Sequence, residues 1–310
     1  MKIVILDAYT VDQGELTWNG LTDFAEVESY ERTSPEDVVS RCKGAEIVLT
    51  NKVVLDATIL NKLPRLQYIG VLATGYNVVD IETANRQNIV VTNIPAYSTE
   101  SVAQMVFSYL LNIVTRVDHY ARENKQGKWV SSPDFCYLDH QLFELSGKKM
   151  GIIGLGNTGM ATARIATSFG LQVFAYTSKE EEDLPFGIKK VDLECIFKQC
   201  DIISLHCPLT ETTHHLVNKE RLISMKPTAI LINTGRGPLV DDAAVADALK
   251  NGTIAAYGTD VLTTEPASAD NPLLDAPNCY ITPHIAWATR EARQRLIDIC
   301  TENVRAYLDG

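Results

Sequence analysis

Three side chains suited to proton and anion chemistry stand just past apolar runs: Arg236 in "AILINTGRGPLVD", Glu265 in "AAYGTDVLTTEP" and His284 in "CYITPHIAWATREAR". Imidazole is the side chain whose charge changes most readily near neutral pH. A carboxylate beside it favours the imidazolium, the form that can give a proton away. A guanidinium presents a planar fork that pairs with a carboxylate and polarises a carbonyl, which a lysine ammonium does not reproduce. The set suits delivery of a proton to the carbonyl oxygen of a small acid whose own carboxylate is held by Arg236. Singly, the three read as a core histidine, a helix-capping glutamate and a surface arginine; their shared placement argues for chemistry.

Such placement needs a frame. "KIVIL", "EIVLT", "LQYIGVLA" and "IVVTN" read as strands separated by helix-like segments over residues 35–42 and 79–87, a βα alternation. From Glu100 to about Glu123, Val102, Met105, Val106, Leu110, Ile113 and Val117 keep helical spacing, which predicts one long connecting helix. The runs "KKMGIIG", "LQVFAY", "DIISLH", "TAILINT", "IAAYGTDV" and "NCYITPH" follow, near-continuously apolar as strands buried on both faces are. Between Thr289 and Leu308, Ala292, Leu296, Cys300, Val304 and Leu308 form a stripe with no place in the second sheet, so this helix is predicted to cross back to the first unit. The expected class is α/β, with two doubly wound parallel-sheet domains: a discontinuous substrate-binding domain of residues 1–98 and 287–310, and a dinucleotide-binding domain of residues 99–286. Ligands of such sheets lie outside the carboxyl ends of the strands, where Arg236, Glu265 and His284 fall.

The stretch "MGIIGLGNTGMATARIATSFG" puts Gly154, Gly156 and Gly159 between a strand and a helix. In the dinucleotide fingerprint the first glycine permits the tight turn, the second admits the pyrophosphate and the third lets helix and strand approach. The helix N-terminus then receives the negative charge. A nicotinamide bound there brings the hydride that completes reduction of a 2-oxo acid. The acid expected about twenty residues on, which binds the ribose of NAD, is replaced by Thr177, Ser178 and Lys179 in "FAYTSKEEED". Two hydroxyls and an ammonium suit a 2′-phosphate; Glu180, Glu181, Glu182 and Asp183 oppose one if they fold toward the site. NADP is therefore favoured over NAD.

"GLGNTG", "LHCPLTETTHHLVN", "LINTGRGPLVD", "GTDVLTTEP" and "TPHIAWAT" occur in an order and at spacings that resemble the NAD(P)-dependent D-2-hydroxyacid dehydrogenases over nearly the whole chain. The resemblance implies a Rossmann cofactor domain with a flavodoxin-like substrate domain, and Arg236, Glu265 and His284 as the catalytic set, His284 giving the proton. It implies cofactor contacts from Asn157 and Thr158 of the glycine loop, from His206, Cys207, Pro208 and Thr213, from Thr234 and Gly235, and from Asp260 near the nicotinamide amide. Backbone amides of "VLATGYN" are implied to hold the substrate carboxylate, with Leu72, Ala73, Thr74 and Gly75 expected to form an anion-binding nest at an inter-domain cleft that closes over substrate. Val71 stands where related phosphoglycerate dehydrogenases carry an arginine, which disfavours a phosphorylated substrate. Trp287 either walls the substrate pocket, restricting it to short acids such as hydroxypyruvate or glyoxylate, or packs in a core. A homodimer is implied too, its interface drawing on the apolar-rich helix from Glu100.

Bulk properties narrow the alternatives. A net charge of -11 on 310 residues repels nucleic acid and anionic membranes, so neither is expected as a partner. Seven cysteines without a CxxC pair predict reduced thiols and a cytoplasmic protein; "MKIVILDAY" reads as a first strand rather than a signal peptide. His206, Cys207, His214 and His215 match no zinc spacing, so no metal is expected. The rival reading is an NAD(P)-sensing binding protein of the same fold without significant turnover.

Overall fold

Strands that are apolar on both sides must be covered on both sides, and all of the predicted strands lie in parallel sheets in a computed structural model that describes residues 1–310. Two compact units are present, Met1–Ser98 with Trp287–Gly310, and Thr99–Ala286. In the first, β1 (Lys2–Ile5), β2 (Glu26–Ser29), β3 (Ile47–Thr50), β4 (Tyr68–Val71) and β5 (Val90–Thr92) pair in the order β2-β1-β3-β4-β5, which is the flavodoxin-like order. The closing helix, Arg290–Asp309, belongs to this unit and lays Ala292, Leu296, Cys300 and Val304 against Ile3, Ile5 and Tyr68. Its start is set by Thr289, whose side chain accepts a hydrogen bond from the Ala292 amide.

The second unit contains β6 (Lys149–Ile153), β7 (Gln172–Tyr176), β8 (Ile188–Lys190), β9 (Ile202–Leu205), β10 (Ile230–Asn233), β11 (Ala256–Thr259) and β12 (Cys279–Ile281). Their order is β12-β11-β10-β9-β6-β7-β8, every neighbouring pair parallel. The order reverses between β6 and β9, the switch point at which doubly wound sheets hold ligands. No helix is long and apolar enough to cross a membrane.

Two differences from the sequence expectations have physical causes. The single helix expected from Glu100 to Glu123 is two, Thr99–Thr115 and Val117–Lys125, parted by Arg116 at φ 54°. Arg116 is drawn out of helical geometry by partners distant in sequence, the Tyr280 hydroxyl and Asn278 Oδ1, the latter at 3.2 Å. Strands β2 and β8 had no apolar run to announce them: both are edge strands, and neither contains a fully buried residue.

Candidate active site

The glycine turn follows β6, and its three glycines do different work. Gly154 has φ +95°, and a Cβ there would lie 2.6 Å from the Cys207 amide nitrogen, so the turn packs directly on the end of β9. Gly159 is close-packed in the same way: a Cβ would lie 2.1 Å from the Gly154 carbonyl oxygen. Around Gly156 nothing lies within 4 Å of that position. Gly156 also begins the helix Asn157–Ser168 without a side-chain cap, leaving the amides of Asn157, Thr158 and Gly159 outside the helical bonding pattern. Open space in front of uncapped helix amides fits a dinucleotide pyrophosphate. A second observation, past β10, agrees: the Thr234 hydroxyl is buried with no hydrogen-bond partner in the chain, a state that a bound polar ligand relieves.

Around this turn stand the residues that end β9 and β7. His206 donates its amide to the Ile153 carbonyl at 2.7 Å, and its Nε2 lies 2.8 Å from Ser204 Oγ. Thr213 closes the loop of Pro208, donating to the Pro208 carbonyl and accepting from the Thr210 amide, both at 2.7 Å. Thr177, Ser178 and Lys179 follow β7, with the Thr177 hydroxyl accepting from the Lys179 amide at 3.2 Å. Lys190, at the end of β8, donates to the Lys179 carbonyl at 2.6 Å and lies 3.8 Å from the Glu180 carboxylate, drawing that acid toward itself. Lys190 carried no motif signal in the sequence. As for metal-type ligands, no group of three or more His, Cys, Asp or Glu side chains gathers anywhere in the chain.

Burial pushes the His206 imidazole down to about 4, so at neutral pH it is uncharged and gives a phosphate no cation. A histidine whose folded pKa lies below its unfolded value, here 6.5, takes stability away as pH falls from the unfolded value through the folded one. The shift corresponds to about 3 kcal/mol at most, and since the residue as a whole is half-buried the expected effect is about 2 kcal/mol. His206→Gln removes the titration. Between pH 7 and pH 4 the wild-type protein should lose about 2 kcal/mol more unfolding free energy than the variant, measured by urea denaturation at each pH; parallel losses would exclude the effect.

Arg236, Glu265 and His284 follow β10, β11 and β12, three adjacent parallel strands, and so share the carboxyl edge of one sheet. His284 Nδ1 lies 2.6 Å from Glu265 Oε2. Glu265 is fixed in turn by its other oxygen, which accepts from the Leu262 amide at 3.1 Å. Arg236 stands on a turn built by Asn233, whose buried side chain donates to the Arg236 carbonyl and accepts from the Gly235 amide, both at 3.0 Å. The next residue, Gly237, lies so close to the loop leading to Glu265 that a Cβ on it would sit 1.9 Å from the Leu262 carbonyl oxygen. The loops of Arg236 and Glu265 therefore touch backbone to backbone.

His284 has φ 54°, a left-handed conformation that costs a residue other than glycine about 1–3 kcal/mol and must be imposed by its surroundings. Its amide donates to the carbonyls of Asp260, at 2.8 Å, and Thr282, at 3.0 Å. Asp260, expected near the nicotinamide amide, is buried, and its carboxylate accepts from the Thr282 hydroxyl at 2.5 Å, the Ile285 amide at 2.9 Å and the Ala286 amide at 2.7 Å. Burial pushes this carboxyl up, against the pull of those donors. Asp260 thus pins both flanks of the His284 turn. Asn233 and Thr282 escaped the sequence reading because a polar residue at a strand end has no periodic signature.

In the other unit, the loop after β4 departs in part from the expected nest. Leu72 is buried and its amide is spent on the Thr50 carbonyl at 2.8 Å, extending the sheet. Ala73 and Thr74 offer their carbonyls to the Ile94 amide, at 3.0 Å, and to the Asn93 side chain, at 2.7 Å. No backbone carbonyl accepts from the amides of Ala73, Thr74 or Gly75, so an anion site here has three amides rather than four. Trp287 packs against the core of its own unit, its ring 6.2 Å from that of Tyr97 at 67°.

Residues 107–286 match the family model described as D-isomer specific 2-hydroxyacid dehydrogenase, NAD binding domain. The chain is 46% identical to the hydroxypyruvate reductase of Blautia hydrogenotrophica, covering 100% of this chain and 98% of that protein. It is 41% identical to the glycerate dehydrogenase of Methylorubrum extorquens, covering 100% and 96%. Among solved structures, the D-lactate dehydrogenase of Aquifex aeolicus, complexed with NAD and lactic acid, superposes with a TM-score of 0.84 at 30% identity, covering 100% of this chain and 96% of that one. A motif set legible in the sequence, a switch-point sheet and full-length likeness agree, and the chain belongs to the D-isomer specific 2-hydroxyacid dehydrogenase family.

Proposed function

We propose that this NAD(P)-dependent oxidoreductase reduces a short 2-oxo acid, hydroxypyruvate or glyoxylate, to the D-2-hydroxy acid, with His284 as the proton donor. The observation that carries this reading is the 2.6 Å contact between His284 Nδ1 and Glu265 Oε2 at the edge of the sheet where Arg236 also stands. The glycine turn of Gly154, Gly156 and Gly159 would hold a nicotinamide cofactor, which when bound would supply the hydride for the carbonyl carbon. The proton comes from His284: with Nδ1 turned to Glu265, Nε2 is the nitrogen that gives its proton to the carbonyl oxygen, and Glu265 holds the ring in that orientation. Arg236 polarises the carbonyl and pairs with the substrate carboxylate. The unit of residues 1–98 and 287–310 would act as the substrate-binding domain, with the amides of Ala73, Thr74 and Gly75 open to an anion, and that of residues 99–286 as the dinucleotide-binding domain. Short substrates are supported by the hydroxypyruvate and glycerate relatives.

The same reading extends to NADPH as the preferred cofactor. Thr177, Ser178 and Lys179 bring no carboxylate to the ribose, and the nearest acid, Glu180, is drawn to Lys190. Initial rates with hydroxypyruvate, glyoxylate and pyruvate, each with NADH and NADPH, test both parts. Turnover should be highest with one of the first two acids, and KM should be about tenfold lower for NADPH, the discrimination one charge-assisted contact supplies. Failure of all three acids would overturn the substrate reading, and an equal or lower KM for NADH the cofactor one.

A further inference from the structure

Beneath the His284 turn lies a side chain that the reaction does not touch. Tyr109, on the helix Thr99–Thr115, is 6% exposed. Its hydroxyl shares its one proton between the Thr259 carbonyl, at 2.7 Å, and the Thr282 hydroxyl oxygen. Thr282 passes the contact on by donating to Asp260 Oδ1 at 2.5 Å. The Asp260 carboxylate then holds the amides of Ile285 and Ala286. A chain of buried and half-buried polar contacts therefore starts at Tyr109 and ends on the two residues that follow His284, having passed through Thr282, two residues before it.

The ring of Tyr109 is as closely fitted as its hydroxyl. A Cβ on Gly258 would lie 2.9 Å from Tyr109 Cγ, so the bare backbone of β11 makes room for the ring, which packs directly on it. Polar contacts buried in this way polarise one another, and loss of one loosens the rest. His284 meanwhile keeps a backbone conformation that only its surroundings enforce. We propose that Tyr109 is a positioning residue for the reduction, its hydroxyl acting through Thr282 and Asp260 to hold the His284 turn in the left-handed conformation that brings the imidazole to Glu265. The proposal rests on the reading of His284 as proton donor.

Tyr109→Phe keeps the ring and removes only the relay. It should lower kcat about tenfold while KM for the cofactor stays within about twofold, the split expected when an interaction made in the transition state is lost. The decisive comparison is a double-mutant cycle with His284→Ala. In that background Tyr109→Phe should cost the residual rate nothing, because no imidazole remains to be positioned. An unchanged kcat in the single variant, or equal losses in both backgrounds, would leave Tyr109 as packing alone and overturn the proposal. Should Tyr109→Phe not fold, Thr282→Val breaks the same relay one link on, and Thr282→Ser, which keeps the hydroxyl, should restore turnover; equal turnover in these two variants also overturns it. Full turnover in His284→Ala by itself would instead remove the proton-donor reading on which the proposal stands.

Discussion

His284→Ala should lower kcat for 2-oxo acid reduction by about a thousandfold and leave KM for the nicotinamide cofactor within about twofold, since a positioned general acid contributes roughly 10²–10⁴ in rate. The separation follows from where the parts stand. The glycine turn, the uncapped helix from Asn157 and the buried Thr234 hydroxyl lie after β6 and β10, whereas His284 follows β12. Truncating the imidazole leaves the first group untouched, so cofactor affinity, read by fluorescence titration with NADH and NADPH, should persist. Glu265→Gln keeps the shape of the 2.6 Å contact but removes the charge that stabilises the imidazolium; its loss should be smaller, about a hundredfold. A His284→Ala enzyme within tenfold of wild-type turnover would mean that the proton reaches the oxygen by another route.

How much of this was legible in the sequence depends on range. The glycine turn is read from six consecutive positions because strand, turn and helix start are local, and Arg236, Glu265 and His284 are found because each follows an apolar run that had to be a strand. Edge strands were not legible: "EVES" in β2 and "IKK" in β8 are half solvated and carry no apolar run. Nor was the break at Arg116, whose partners Asn278 and Tyr280 are 162 and 164 residues away. Tyr109 is the clearest case. Its place on the apolar face of its helix marks it as core, and nothing local reports that its hydroxyl meets Thr259 and Thr282, 150 and 173 residues on. Periodicity shows which face of an element is buried; it does not show which buried polar atoms meet.

Two glycines of the site should lose function by different routes on gaining the same methyl group. At Gly237 a Cβ would lie 1.9 Å from the Leu262 carbonyl oxygen, 2.0 Å from its carbon and 2.5 Å from the Thr263 nitrogen. All three obstacles are backbone, so no side chain can swing aside. Ordinary contact needs about 3.4 Å, and Gly237→Ala must therefore part the Arg236 and Glu265 loops by about 1.5 Å. Displacement of about 1 Å costs on the order of a hundredfold in a positioned reaction, and overpacking a close contact costs about 1–3 kcal/mol. The variant should lose at least a hundredfold in kcat/KM for the 2-oxo acid and unfold several degrees lower. Gly156→Ala meets nothing within 4 Å and keeps φ at -77°, which alanine adopts freely. Its fold should be as stable as wild type, yet the methyl group would enter the space in front of the helix amides, raising the dissociation constant for the cofactor about tenfold or more. The two variants thus separate loop register from cofactor approach. Wild-type kcat/KM in Gly237→Ala would break the first argument, and undiminished cofactor affinity in Gly156→Ala would place the pyrophosphate elsewhere.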